Sequence, residues 1–303
     1  MRRLCAGTTC NRRARPIIRL VVCLDSGKRC LKAMRLLDKI THLIIDMDGV
    51  LYRGDQPMPR LREFFNFLRG HSIPFILATN NSTRTPQEYV DKLARMGVTV
   101  SPAEILHSGQ ATARFLSRAY PRGTRVHVFG MPSLKEALTD EGFILADEDV
   151  QLVVASMDRG VTFEKLKRAT LLIRGGARFI ATNLDPTNPS EEGLIPGTGT
   201  MVVALETASE TKAQAIGKPE PTMYQLAMEQ MGACPETTAA IGDRVDTDIL
   251  GGKRAGLVTI CVLSGSSDRA EAETIGTDMI FDDIAHLLET WKHLTIENQA
   301  VSG

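Results

Sequence analysis

Residues 42–51 read HLIIDMDGVL, and this stretch decides the fold. A short apolar run ends abruptly in Asp46, followed by Met47, Asp48 and Gly49. A run without strict polar alternation predicts a strand covered on both faces, as in a parallel sheet. The two carboxylates stand two residues apart on an extended segment and so project to one side. Gly49 then permits a turn that most residues resist.

Working outward, comparable runs recur along the chain. PFILAT (74–79), RVHVFG (125–130), LVVAS (152–156), FIATN (179–183), QAIG (214–217), AAIGD (239–243) and LVTICVL (257–263) are predicted strands. Amphipathic stretches lie between them, among them PRLREFFNFLRG, TPQEYVDKLARMG and TFEKLKRATLLIRGG. The second carries its own punctuation: Thr85 can cap, Pro86 suits the first helical position, Glu88 completes a capping box and Gly97 can end the helix. This alternation predicts an α/β fold. At 303 residues the chain is long enough for two domains. No Gly/Ser- or Pro-rich linker divides it, so a second domain has to be an insertion between strands.

Ligands of open α/β sheets bind beyond the carboxyl ends of the strands. The polar residues at those ends are Asp46 and Asp48, then Thr79-Asn80-Asn81-Ser82, then Lys218, then Asp243 with Asp246 and Asp248. Each is commonplace alone: an Asp-x-Asp is usually a loop or cap, a Thr-Asn-Asn a turn, a Lys before Pro a solvated charge. Together and in order, a carboxylate pair, a hydroxyl, a lysine and further acids suit a magnesium ion and a phosphate.

DMDGVL, ATNNSTRT, IGKPEP and IGDRVDTDI resemble the four ordered motifs of the haloacid dehalogenase (HAD) superfamily phosphatases. FIATNLD, GLIPGTG and ALETAS are similar to the NagD and p-nitrophenylphosphatase subclass. The likeness runs from about residue 40 to about 290. It implies a Rossmann-like parallel-sheet core of about residues 34–120 and 208–303, with an inserted α/β cap domain of about 121–207. It also implies a Mg²⁺-dependent phosphatase of small phosphate monoesters, p-nitrophenyl phosphate included. In that scheme Asp46 is the nucleophile that forms an aspartyl-phosphate and Asp48 the general acid and base. Thr79, Asn80 through its backbone N–H, and Lys218 bind phosphate. The metal ligands are the Asp46 carboxylate, the Asp48 carbonyl and the Asp243 carboxylate, with Asp248 orienting them. Family caps close over the site, and Asp158, Asn183, Asp185 and Asn188 are the candidate substrate readers here. Relatives acting on pyridoxal phosphate carry a His at what looks like the Asn188 position, which counts against that substrate. Some relatives dimerise through their caps, so a homodimer is an expected partner. A non-catalytic relative would be expected to have lost Asp46 or Asp243. The motifs leave open a phosphotransferase that delivers the phosphoryl group to a sugar hydroxyl.

Charge adds one more feature. The chain carries 36 basic and 36 acidic side chains. Residues 1–33 hold nine of the basic groups and one acid, leaving the rest net acidic, with 27 basic against 35 acidic. A net acidic body disfavours nucleic acid as a partner. The basic leader also holds Cys5, Cys10, Cys23 and Cys30. It is poor in Ser for a transit peptide, and its cysteine spacings match no standard zinc pairing, so it is expected to lie outside the fold, disordered or upstream of the true start at Met34. No apolar run approaches membrane-spanning length, and a cytoplasmic location is the default expectation. Cys234 and Cys261, in apolar sequence, are expected to be buried thiols.

Overall fold

The computed structural model describes residues 36–190 and 192–302; the expectations for residues 1–33 lie outside them. Every run predicted as a strand is one. The elements of the first unit are β1 (His42–Ile45), β2 (Tyr52–Arg53), β3 (Gln56–Pro57), α1 (Leu61–Gly70), β4 (Phe75–Thr79), α2 (Pro86–Arg95), β5 (Ile105–His107) and α3 (Ser108–Ala119). The chain then enters a second unit of β6 (Arg125–Phe129), α4 (Pro132–Asp140), β7 (Ile144–Leu145), β8 (Leu152–Ala155), α5 (Phe163–Arg174), β9 (Arg178–Ala181), β10 (Thr187–Ser190), β11 (Gly193–Pro196), α6 (Thr198–Ser209) and β12 (Gln214–Ala215). It returns through α7 (Thr222–Met231), β13 (Thr238–Gly242), α8 (Leu250–Arg254), β14 (Val258–Val262), α9 (Arg269–Thr274), β15 (Met279–Phe281) and α10 (Ile284–Ser302).

The core sheet is six-stranded and parallel, in the order β15-β14-β13-β1-β4-β5. Chain order runs outward from β1 on one side before the insertion and on the other side after it. The carboxyl end of β1 is therefore the point where the winding reverses, the crevice in which such sheets bind ligands. On one face, Phe64, Phe65 and Leu68 of α1 pack with Leu287, Leu288 and Trp291 of α10. Phe67 and Trp291 meet with ring centroids 5.7 Å apart. Buried positions three and four apart give each helix one apolar stripe, which this packing covers. On the other face, Met223, Tyr224 and Ala227 of α7 cover Ile44, Ile76 and Ala240. The α2 capping box forms as its sequence predicts, with Glu88 N–H donating to Thr85 Oγ1 and Thr85 N–H to Glu88 Oε2.

The inserted unit has its own parallel sheet, β12-β9-β8-β6-β7. Gln214–Ala215, assigned to the core segment on sequence, pairs with β9 instead, so this sheet reaches past residue 207. Ala113 and Leu116 of α3 likewise pack with Val126, Leu134 and Ile180 of the inserted unit. Two buried hydroxyl contacts tie the units together. Ser82 and Ser156 share a 2.6 Å hydrogen bond, and Ser133 Oγ donates to the Ser82 carbonyl. Cys261 is buried as expected, but Cys234 is exposed. It precedes Pro235 in a surface turn between α7 and β13, where the chain leaves the core.

Candidate active site

Asp46, Thr79 and Asp243 follow or close β1, β4 and β13, the strands at the reversal of the sheet. The turn after β1 winds around the Met47 carbonyl, which accepts from the N–H of Leu51 at 2.8 Å. Gly49 adopts φ +85°, and a Cβ there would stand 2.5 Å from Asp243 Oδ2. Gly265 approaches the same carboxylate from the loop after β14, where a Cβ would stand 1.9 Å from Oδ2. Asp243 is thus held between two bare backbones and accepts from Ser266 N–H at 2.8 Å. After β13 the chain makes a π-helical turn, Val245–Ile249, in which Ile249 N–H reaches back to the Arg244 carbonyl. Such turns re-aim side chains at functional sites, and this one brings Asp248 beside Asp243.

Lys218 joins these carboxylates. Its ammonium donates to Asp46 Oδ1 at 2.5 Å, Asp248 Oδ1 at 2.6 Å and the Ala78 carbonyl at 3.0 Å. Its backbone is held by Asn80, whose Oδ1 accepts from Lys218 N–H at 2.9 Å and whose Nδ2 donates to the Lys218 carbonyl at 2.8 Å. Asn80 therefore contributes its side chain to positioning the lysine, a role separate from the phosphate contact expected of its backbone N–H. Thr79 is buried and its hydroxyl accepts from Asn81 N–H.

The electrostatics are unbalanced. Burial pushes the Asp46 carboxyl well above the usual range; Lys218 pulls it down, and Asp248 and Asp243 push it up further. Asp243 is raised to about 6 by burial and by Asp248, against the Ser266 N–H. Burial alone would lower Lys218, but Asp248 and Asp46 outweigh it and raise its ammonium well above the ordinary value. Oxygens of Asp46, Asp243 and Asp248 lie within 4.8 Å of one another, so three carboxylates face one cation. Hard oxygen donors with an excess of two negative charges fit a divalent cation. Asp248 has its oxygens engaged by Lys218 and by Arg244 N–H, which leaves Asp46 and Asp243 as the freer ligands.

Asp48 sits at the edge of this cluster, in a bridge with Tyr52. Burial raises its carboxyl, opposed by Lys92, the Gly49 N–H and Arg84. Lys92 is itself buried, its ammonium 3.8 Å from the Tyr52 ring centroid and 3.7 Å from Asp55 Oδ1.

These groups form the floor of a cavity of about 490 Å³, roofed by the inserted unit. Of the four candidate substrate readers, Asp185 and Asn188 line it, and Asp158 and Asn183 do not. The Asp158 carboxylate is occupied by Gly160 N–H and the Lys165 ammonium. Asn183 bonds to Asp185 and Thr182. Sequence reading missed Arg53 and Arg244, both in the wall. Arg53 donates to the Ser264 carbonyl at 2.6 Å. Arg244 pairs with Asp246 and stands 3.6 Å from Asp185 Oδ1. Arg244 lies within IGDRVDTDI, a motif already singled out, and Arg53 follows DMDGVL by two residues; that proximity was the available signal.

Comparison with known proteins identifies the family. Residues 43–144 match a family model described as haloacid dehalogenase-like hydrolase, and residues 215–287 a second, HAD-hydrolase-like model. The acid sugar phosphatase of Staphylococcus epidermidis is 39% identical over 225 residues, 74% of this chain and 86% of the relative. Among solved structures, the 4-nitrophenylphosphatase of Thermotoga maritima superposes with a TM-score of 0.80 at 36% identity, covering 84% of this chain and 98% of that one. NagD from E. coli K-12 gives 0.76 at 33% identity, covering 81% and 97%. The chain therefore belongs to the haloacid dehalogenase-like hydrolases, alongside NagD and the p-nitrophenylphosphatases.

Proposed function

We propose that this protein is a Mg²⁺-dependent phosphatase of small, hydroxyl-rich phosphate monoesters, sugar phosphates foremost, working through a phosphorylated Asp46. The observation that carries the chemistry is the Asp46–Lys218–Asp248 arrangement beside Asp243 at the strand ends. What supports the substrate class is the cavity wall: every side chain lining it is polar, including Arg53, Gln56, Asn188 and Ser190. The names of the relatives, acid sugar phosphatase and 4-nitrophenylphosphatase, point the same way.

In this reading an Asp46 oxygen attacks phosphorus while the bond to the leaving oxygen breaks. Lys218, 2.5 Å from Asp46, opposes the burial that favours the protonated Asp46 carboxyl and offsets charge on the phosphoryl group. Asp48, whose protonated form burial favours, gives its proton to the leaving oxygen. It then takes a proton from the water that attacks phosphorus, and Asp46 is restored as inorganic phosphate leaves. Thr79 and the Asn80 N–H hold phosphoryl oxygens. Asp46, the Asp48 carbonyl and Asp243 would hold the ion, with Asp248 orienting them; when bound, it supplies charge neutralisation to the transferring group.

We further assign pairing of two copies to the inserted domain. The exposed large apolar side chains, from Ile144 and Leu145 through Phe163 and Leu171 to Leu194 and Val203, all fall within it among the described residues. The two described cysteines are free thiols, which suits a cytoplasmic location.

The test is phosphate release from a panel of phosphomonoesters, p-nitrophenyl phosphate included, with Mg²⁺ and with chelator, beside Asp46→Asn. Metal-dependent turnover that the substitution abolishes is expected. Adding a sugar acceptor separates hydrolysis from phosphotransfer. Folded protein that turns over no monoester would overturn the reading.

A further inference from the structure

Asp185 was a candidate substrate reader on sequence, and it does line the cavity. Its carboxylate, however, is already engaged. Oδ2 accepts from Asn80 Nδ2 at 2.8 Å and from Asn183 Nδ2 at 2.8 Å, while Oδ1 faces the Arg244 guanidinium at 3.6 Å. Asn80 and Arg244 belong to the core; Asp185 belongs to the inserted unit. The residue is 8% exposed, so little of it is left for a ligand.

We infer that Asp185 is a positioning residue, a latch that docks the substrate-facing loop of the inserted domain on the core and fixes Lys218 through Asn80. The connection is continuous. Asn80 bonds to Asp185 with the same Nδ2 that grips the Lys218 carbonyl, and its Oδ1 holds the Lys218 N–H. Lys218 in turn reaches Asp46. On the other side, the Asp185 carbonyl accepts from Gly199 N–H at the start of α6. The backbone there is so close that a Cβ on Gly199 would stand 2.3 Å from the Leu184 carbonyl oxygen. Two residues beyond Asp185 begins β10, which carries Asn188 and Ser190 into the wall. Charge fits as well. Arg244 directly follows Asp243, pairs with Asp246 at 2.9 Å and brings its guanidinium to 3.6 Å from Asp185. Two charges and two amides meeting across a domain boundary give a contact whose members act as a unit. The seating of the inserted domain is thereby felt at the lysine that faces the nucleophile.

The role rests on the proposed phosphatase chemistry only for its kinetic readout, so the test has two arms. Asp185→Ala is examined by hydrogen exchange, which needs no turnover, and by inhibition with inorganic phosphate, which touches the core alone. A latch predicts faster exchange both in residues 183–199 and at the amides around Lys218. It also predicts about tenfold weaker phosphate inhibition, the scale of one lost charge-assisted hydrogen bond. The loss in kcat/KM would be similar for sugar phosphate and p-nitrophenyl phosphate, and Asp185→Ala combined with Arg244→Ala would be less than additive. Faster exchange confined to 183–199, with phosphate inhibition unchanged, would overturn the latch. So would a loss that depends on the leaving group, which is the mark of a reader. If the wild-type protein hydrolyses nothing, the phosphatase reading fails, and the exchange at Lys218 still decides the latch.

Discussion

Replacing Gly265 by alanine tests whether Asp243 holds metal where the structure places it. Gly265 has no left-handed backbone to strain, so the substitution acts through space alone. The added Cβ would stand 1.9 Å from Asp243 Oδ2 and 2.3 Å from Cγ. Ordinary contact begins near 3.4 Å, so carboxylate and loop must part by about 1.5 Å. Whichever of them yields, the 2.8 Å bond from Ser266 N–H to Oδ2 is broken. Magnesium tolerates little departure from oxygen distances of about 2.0–2.1 Å, and misplacement of a catalytic group by about 1 Å costs roughly a hundredfold in rate. Gly265→Ala is therefore expected to lower kcat/KM at least a hundredfold and to raise the Mg²⁺ concentration needed for half-maximal turnover. The assay is a Mg²⁺ titration of phosphate release, with calorimetry of Mg²⁺ binding beside it. Gly70→Ala is the control, since its Cβ meets nothing within 4 Å. A folded Gly265→Ala protein with wild-type turnover and Mg²⁺ response would refute the argument.

Three further substitutions probe other links. Lys218→Met leaves three buried carboxylates facing no cation, and should cost about 3–5 kcal/mol in urea unfolding of the metal-free protein together with activity; a loss below about 1 kcal/mol would contradict the charge balance drawn above. His107 is buried, and burial lowers its ring to about pH 3, below its unfolded value near 6.5. The unfolded chain therefore takes up the proton first, and stability present above about pH 6.5 declines as pH falls toward 3, by up to about 1.4 kcal/mol per pH unit. His107→Asn keeps an acceptor for Gly109 and Gln110 N–H and should flatten that part of the stability profile; an unchanged slope would count against it. Thr85→Ala removes the α2 cap and should cost about 1 kcal/mol without altering turnover, as thermal unfolding and the phosphatase assay would show.

The central strands were legible because burial on both faces demands near-continuous apolar runs, and β1, β4, β13 and β14 have them. β5 and β15 escaped reading because the sheet edges use only three residues each, ILH and MIF. The hairpin of β10 and β11 escaped reading as strands, since TNPS carries neither alternation nor an apolar run. The core motifs were legible for a different reason: chemistry fixes residue type and place at the strand ends. The readers proposed for the inserted domain had no such constraint. A buried polar side chain must find partners, and sequence does not say whether those come from the protein or from a ligand. Asp158 and Asn183 found protein partners close by in the chain.

Chemical trapping of the intermediate bears most directly on the central claim. Wild-type protein and Asp48→Asn are mixed with Mg²⁺ and p-nitrophenyl phosphate, whose leaving group departs without a proton from Asp48, then quenched in acid within a single turnover and digested for mass spectrometry. The account predicts an acid-stable, hydroxylamine-sensitive phosphoryl group on the peptide carrying Asp46, and more of it in Asp48→Asn, where the attacking water has lost its base. Turnover in the wild-type protein with no phosphoryl group on Asp46 at any quench time would contradict it.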